Sequence, residues 1–134
     1  MDQNRPRKLN QNDLVDSAMR HMKQNISKSM SLDDIARHCR TSKPRLTKAF
    51  KACLKITPMK WLWKVRLLHA IQIMENQPKL TLGQICYLAG FNSQAHFSRL
   101  FKATYGIGPA QFRKSNVTPV DSTFDFYTFS KICR

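Results

Sequence analysis

Two segments of the chain begin with a serine and carry polar side chains of the kinds that bind nucleic acid. When the segments after Ser42 and Ser93 are placed on helices with their apolar residues inward, the outward positions carry Arg, Lys, Gln, Ser and Thr. These side chains hydrogen-bond to base edges or bind phosphate. The predicted base-reading residues are Arg45, Thr47 and Lys48 in the first segment and Gln94, His96, Ser98 and Arg99 in the second. The predicted phosphate-binding residues are Ser42, Lys43, Lys51, Ser93, Lys102 and Arg113.

The charge distribution favours a polyanionic partner. The 134 residues include 23 Lys and Arg against 8 Asp and Glu, which gives a formal net charge of +15. No acidic residue occurs between Asp34 and Glu75 or between Glu75 and Asp121. A merely solvated surface normally mixes both signs, and a membrane-binding helix would gather its cations along one long amphipathic face. We therefore expect a nucleic acid as the partner, with an anionic membrane surface as the weaker alternative.

Residues for catalysis or metal binding are scarce. Glu75 is the only glutamate, and the only adjacent carboxylates are Asp33 and Asp34 at a predicted helix start. The four cysteines and four histidines lack metal-ligand spacing. The cysteine spacing also argues against a repair protein that accepts alkyl groups from DNA on a reactive cysteine, since such proteins use clustered zinc-bound cysteines. The sequence predicts no catalytic residue, metal, cofactor or small-molecule site, and its cysteine usage fits a reducing cytosol.

Seven helices are required to position these side chains. Apolar residues recur at helical spacing along most of the chain, and sustained strand alternation is absent before the last residues, so we predict an all-α fold. The helix 58–76 is apolar enough to need cover on more than one side. The predicted helix starts are Asn12, Ser31, Ser42, Thr57-Pro58, Thr81, Ser93 and Pro109.

The pattern of caps and core positions occurs twice. Leu32 and Ile35 match Leu82 and Ile85 at an offset of 50 residues. After one inserted residue the offset is 51, at which the matched pairs are Ser42 and Ser93, Leu46 and Phe97, Phe50 and Phe101, and Pro58 and Pro109. Each copy is a short helix, a tight turn and a second helix, which is the layout of a helix-turn-helix. In that motif the second helix lies in the major groove.

The second copy resembles the C-terminal signature of the AraC/XylS family of bacterial transcription regulators. The resemblance rests on Gly90-Phe91-Asn92-Ser93-Gln94-Ala95-His96-Phe97-Ser98-Arg99-Leu100-Phe101-Lys102, followed by Tyr105-Gly106-Ile107-Gly108-Pro109 and Phe112-Arg113. The first copy is similar to the family's first helix-turn-helix. The resemblance implies a DNA-binding domain over 12–114: unit one at about 12–56, a connecting helix at 58–76 and unit two at about 81–114. It further implies that the two units bind successive major grooves of one DNA face, activate transcription and have RNA polymerase as a partner.

The chain departs from the family at two positions. Lys55 stands where Gly is common, so either its backbone is left-handed or the turn differs. Pro44 falls where some members place a base-reading side chain. The contact with a base at this position is therefore either apolar or absent. The length leaves no room for a ligand-binding domain, so the chain resembles either the short stand-alone members or the C-terminal half of a longer one.

The two ends of the chain leave alternatives open. Residues 1–11 are a basic arm or linker, and the tail 115–134 contains four aromatic residues between Phe124 and Phe129. The tail supports an alternative function, in which a basic helical module binds another regulator or an acidic partner. It could equally be a strand or loop docked on the domain itself.

Overall fold

The computed structural model describes residues 10–115, which form seven α-helices and contain no strand. The predicted arm before residue 10 and the aromatic tail after residue 115 lie outside the described residues. The helices are α1 (Gln11–Gln24), α2 (Leu32–His38), α3 (Lys43–Leu54), α4 (Pro58–Asn76), α5 (Leu82–Leu88), α6 (Gln94–Tyr105) and α7 (Pro109–Ser115). The prediction of an all-α fold is confirmed. Within the described residues, no helix is both long enough and apolar enough to cross a membrane.

Side-chain caps fix where the helices begin. The hydroxyl of each predicted cap from α2 to α6 accepts a hydrogen bond from the backbone N–H three residues further on. The prediction for α1 is wrong, because its cap is Asn10 and not Asn12. The Asn10 side chain accepts from the Asp13 N–H at 2.8 Å, and its carbonyl receives the Leu14 N–H, which leaves Asn12 inside the first turn.

The predicted repeat is present in the backbone of the two units. In unit one, the Thr41 N–H donates to the Ala36 carbonyl at 3.0 Å, and in unit two the Phe91 N–H donates to the Cys86 carbonyl at 3.0 Å. Both turns contain a left-handed residue, Arg40 in the first and Gly90 in the second. The α2 and α5 helices each start with a reciprocal capping box. Both units are therefore built from the same helix-turn-helix.

The connecting helix α4 belongs to two separate apolar cores. Trp61, Leu62 and Val65 in its first half pack with α1, α2 and α3. The second half packs with α5, α6 and α7 through Leu67, Ala70, Ile71 and Met74. Because each half is covered from a different side, α4 has no single exposed face, as its composition predicts. Each unit therefore buries its own apolar residues, and α4 connects the two cores.

The cysteines serve mainly as small apolar side chains. Cys39 and Cys86 are buried, and burial raises the pKa of both thiols. Cys53 is half-buried and donates from Sγ to Asn12 Oδ1 at 3.2 Å. Reactive thiols have a depressed pKa and access to solvent, and Cys39 and Cys86 have neither. Cys133 lies outside the described residues.

Candidate nucleic-acid interface

In unit one the candidate interface is the solvent-facing side of α3. Leu46, Ala49, Phe50 and Leu54 are buried on the opposite side. The three lysines predicted to face outward, Lys43, Lys48 and Lys51, are exposed, whereas Arg45 and Thr47 are half-buried. Ser42 Oγ accepts from the Arg45 N–H at 3.2 Å. The Ser42 oxygen therefore caps the helix, and its O–H remains able to donate to a phosphate.

A shallow open groove lies between α2 and the first turns of α3. Its lining residues are Leu32, Lys43, Pro44, Thr47, Lys48 and Lys51. The Lys43 ammonium is 3.8 Å from Asp33 Oδ1, and both side chains are more than half exposed. An exposed pair of this kind contributes little stability, so a phosphate can replace Asp33 as the partner of Lys43. The Pro44 ring adds an apolar surface, which suits contact with a thymine methyl group.

In unit two the candidate interface is the corresponding side of α6. Phe97 and Phe101 are buried, while Gln94, Arg99 and Lys102 are exposed. Ser93 Oγ accepts from the His96 N–H at 3.3 Å, as Ser42 does for Arg45. Ser98 is half-buried. Thus α6 brings a guanidinium, an amide and an ammonium to one exposed surface, and these groups can read base edges and bind phosphate.

The side chains of His96 and Arg113 contact other parts of unit two, its flanking helix α4 or the loop after that helix. The His96 ring packs edge-on against Trp63, with centroids 4.7 Å apart, and against Phe91 at 5.7 Å. The Arg113 guanidinium donates through Nη2 to the Pro78 carbonyl at 2.8 Å, which connects α7 to the loop after α4. Both side chains are half-buried. Their places in an interface are therefore more restricted than those of Gln94 or Arg99.

The predicted site residues do not include Arg66, a buried residue of α4 that lies over the Trp63 ring, which in turn contacts His96 of α6. Arg66 is only 2% exposed and lies on α4 where the two apolar cores meet. Its Nε donates to the Ile26 carbonyl at 3.0 Å and its Nη2 to the Lys28 carbonyl at 2.7 Å. Burial lowers the pKa of the guanidinium, although arginine side chains stay protonated in proteins. A signal was present in the sequence, since Arg66 interrupts an apolar run between Val65 and Leu67.

The two histidines of unit one, His21 and His38, form a stacked pair. The rings of His21 and His38 are inclined by only 16°, with centroids 3.8 Å apart. Burial lowers the pKa of His21, and the neighbouring His38 lowers it further, while Asp34 acts in the opposite direction. Within residues 10–115, no group of three or more His, Cys, Asp or Glu side chains could hold a metal ion.

Comparison with known proteins identifies the fold and its family. The family model of the helix-turn-helix domain, of the AraC type, matches residues 35–115, which is more than half of the chain. The chain belongs to the AraC/XylS family. An AraC-type transcriptional regulator from Chromobacterium violaceum superimposes with a TM-score of 0.72 at 30% identity, covering 81% of this chain and 96% of that one.

Two further comparisons bear on this AraC-type domain. The regulator GbdR of Pseudomonas aeruginosa is 28% identical over 93 residues, which are 69% of this chain and 25% of GbdR. The chain thus spans about a quarter of the length of that relative. The DNA-binding domain of AdpA, solved in complex with a target DNA, has the same fold with a TM-score of 0.71 at 18% identity, covering 75% of this chain and 90% of that one. What the comparisons show for this chain is therefore a helix-turn-helix domain of the AraC type.

Proposed function

We propose that the protein binds a specific double-stranded DNA site through two successive major grooves of one promoter face. The observation that carries this proposal is the repeated geometry of α3 and α6. Each follows the same tight turn, starts at a serine cap and buries one apolar side. The opposite side of each carries cations, and no acidic residue occurs from 76 to 115 to oppose those of unit two. Each helix is therefore equipped for a groove of its own.

The two helices contribute differently to the proposed site. In unit one the exposed groups on α3 are mostly lysines, which suit phosphate contacts, and Arg45, Thr47 and Lys48 are its base-reading candidates. In unit two Gln94 and Arg99 can each form two hydrogen bonds with one base, Gln94 with adenine and Arg99 with guanine. His96 and Ser98 complete the base-reading set. We therefore propose an asymmetric site, with base readout concentrated under α6.

The experiment compares Arg99 with Lys102, two exposed cations on the same helix. The DNA site is first selected from random duplexes, and affinity is then measured for that site and for an unrelated duplex. Arg99→Ala should weaken the selected site by about 1–3 kcal/mol and leave the unrelated duplex nearly unchanged, because it removes a base contact. Lys102→Ala is the matched control and should weaken both duplexes alike. Equal losses on both duplexes for Arg99→Ala would refute the base-reading role.

We further propose that bound protein activates transcription in the bacterial cytosol through contact with RNA polymerase. This part rests on membership of the AraC/XylS family. Transcription in vitro from a template that carries the selected site tests it, and a fall in transcript when protein is added would instead indicate a repressor. Membership of the family does not favour the alternative of a basic interaction module, and the aromatic tail that motivated that alternative lies outside the described residues.

A further inference from the structure

The two units meet at a small polar contact that we call the junction. It consists of Arg66 and Trp63 on α4, the carbonyls of Ile26 and Lys28 in the loop after α1, and Gly90 in the turn between α5 and α6. The loop belongs to unit one and the turn belongs to unit two. Apart from α4 itself, the two buried cores have no residue in common. The junction is therefore a second connection between the units.

Arg66 holds the loop of unit one against α4. Its two hydrogen bonds, at 3.0 and 2.7 Å, go to carbonyls two residues apart, and its guanidinium lies over the Trp63 ring at 4.7 Å. A planar guanidinium can make these three contacts at once, whereas a lysine ammonium cannot. Burial of the charge strengthens this arrangement, because the two carbonyls and the ring replace the water that Arg66 has lost. Releasing the loop would leave a buried cation without those partners.

Gly90 allows the turn of unit two to approach this site closely. Its φ is +94°, and a Cβ at this position would collide with the Ile26 carbonyl oxygen and would lie 2.6 Å from Arg66 Nε. Residue 90 is thus in contact with both partners of one junction hydrogen bond. Unit one has Arg40 at the equivalent position, which shows that a left-handed turn alone does not require glycine here. The close approach explains the glycine.

The junction reaches the first turn of α6 through aromatic rings. Trp63 has Arg66 over its ring, lies 5.2 Å from Phe91, and contacts His96 edge-on at 4.7 Å. His96 occupies the third position of α6. Contacts therefore run without a break from the loop of unit one to the start of the helix that carries Gln94 and Arg99.

We infer that Arg66 and Gly90 are positioning residues that fix the orientation of unit two, with α6, relative to unit one. The two cores on α4 have no residue in common, so their packing alone does not fix one half of this 19-residue helix relative to the other, and the junction at Arg66 near its middle adds that restraint. As a consequence, which rests on the proposed function, the junction sets the spacing between half-sites that the protein accepts. Neither residue needs to touch DNA for this role.

The orientation is tested without DNA, by residual dipolar couplings of the ¹⁵N-labelled full chain. One alignment tensor should fit the amides of both units in the wild type. Gly90→Ala and Arg66→Met should each require two tensors. The alanine Cβ would force the loop and the turn apart, and the loss of the Arg66 hydrogen bonds would release the loop from α4. Gly106→Ala is the control for Gly90, since Gly106 also has a positive φ, of +84°, but open space where its Cβ would stand. Lys60→Met is the control for Arg66, since it removes an exposed cation from the same helix.

Amide chemical shifts of the two cores confirm that each variant is folded, and Arg66→Lys replaces Arg66→Met if the latter does not fold. A single tensor for both units in Gly90→Ala and in the folded Arg66 variant would overturn the inference.

The consequence for DNA is tested with one base pair inserted between the two halves of the selected site. The insertion shifts one half by about 3.4 Å and should reduce wild-type affinity by about tenfold or more. The same insertion should lower the affinity of Gly90→Ala by less than about threefold, whereas it should lower the affinity of Gly106→Ala as much as that of the wild type. An equal loss in Gly90→Ala and wild type would overturn the DNA role of the junction. If the wild type selects no site, the proposed function fails, while the tensor measurement still decides the orientation.

Discussion

Lys55 ends α3 in the left-handed conformation, with φ of 64° and ψ of 14°. The sequence left two possibilities here, a strained residue or a different turn, and the structure shows the strained residue. Gly106 ends α6 in the same way at φ of 84°. Because a side chain in this region costs about 1–2 kcal/mol, unit one accepts a penalty that unit two avoids. The Lys55 ammonium lies 3.4 Å from the Ala52 carbonyl, an exposed contact that offsets little of it.

Lys55→Gly should therefore stabilise the protein. We expect a gain of about 0.5–1 kcal/mol in the free energy of unfolding, because relief of the backbone strain exceeds the extra entropy of glycine in the unfolded chain. Lys51→Gly is the control: it removes a lysine that lies within the last turn of the same helix, and it should destabilise by up to about 1 kcal/mol. Urea denaturation measures both. Equal destabilisation by the two changes would mean that the left-handed lysine carries no strain.

At the scale of elements, the capping serines begin their helices and also lie at the proposed interface, and these two roles can be separated by mutation. Ser93 Oγ accepts the His96 N–H at the start of α6, and Ser93 is exposed at the proposed interface. An aspartate is as good a cap as serine, and its charge also suits the positive end of the helix. The same charge next to a DNA phosphate would be repelled.

Ser93→Asp should consequently preserve stability and abolish most DNA binding. We expect a free energy of unfolding within about 0.5 kcal/mol of the wild type and an affinity for DNA at least about tenfold lower. Ser93→Ala is the comparison for stability: it removes the cap without adding a charge and should lower the free energy of unfolding by about 1 kcal/mol. Thermal unfolding and gel shifts supply the two measurements. Unchanged affinity in Ser93→Asp would place Ser93 away from the phosphate backbone.

At the scale of the whole molecule, the length of α4 limits the distance between the two units. Its 19 residues correspond to a helix about 28 Å long, whereas successive major-groove faces of straight B-DNA lie about 34 Å apart. Reorientation of the units is opposed because each unit packs on its own half of α4 and the junction braces the middle of the helix. We therefore expect the DNA to bend towards the protein.

The bend should be visible in the mobility of bound DNA fragments that carry the selected site at different positions. A bent complex migrates most slowly when the site is central, and bending of a site of roughly 20 base pairs costs about 1–6 kcal/mol, depending on its sequence. Fragments of equal length with an unrelated duplex serve as the control. Equal mobility at all positions, with both grooves protected from cleavage, would show that α4 does not act as a rigid spacer.

The sequence by itself determined the helices, the repeat and the outward faces of α3 and α6. Each depends on local chemistry: a cap bonds three residues along the chain, and apolar spacing identifies the buried side. The error at Asn12 has the same local origin, because Asn10 and Asn12 are both suitable caps, and only Asn10 has its oxygen at the Asp13 N–H.

The tertiary structure alone decided how the two units are held together. The contacts of Arg66 with Ile26 and Lys28 join residues about 40 positions apart, and that of Arg113 with Pro78 spans 35. Residue type and spacing carry no record of such pairs, so the position of Arg66 between Val65 and Leu67 marks it as unusual but does not identify its partners. The packing of His96 against Trp63 likewise depends on where two separate helices meet. Local patterns fixed which groups each helix exposes, and long-range packing fixed the orientation in which the helices carry them.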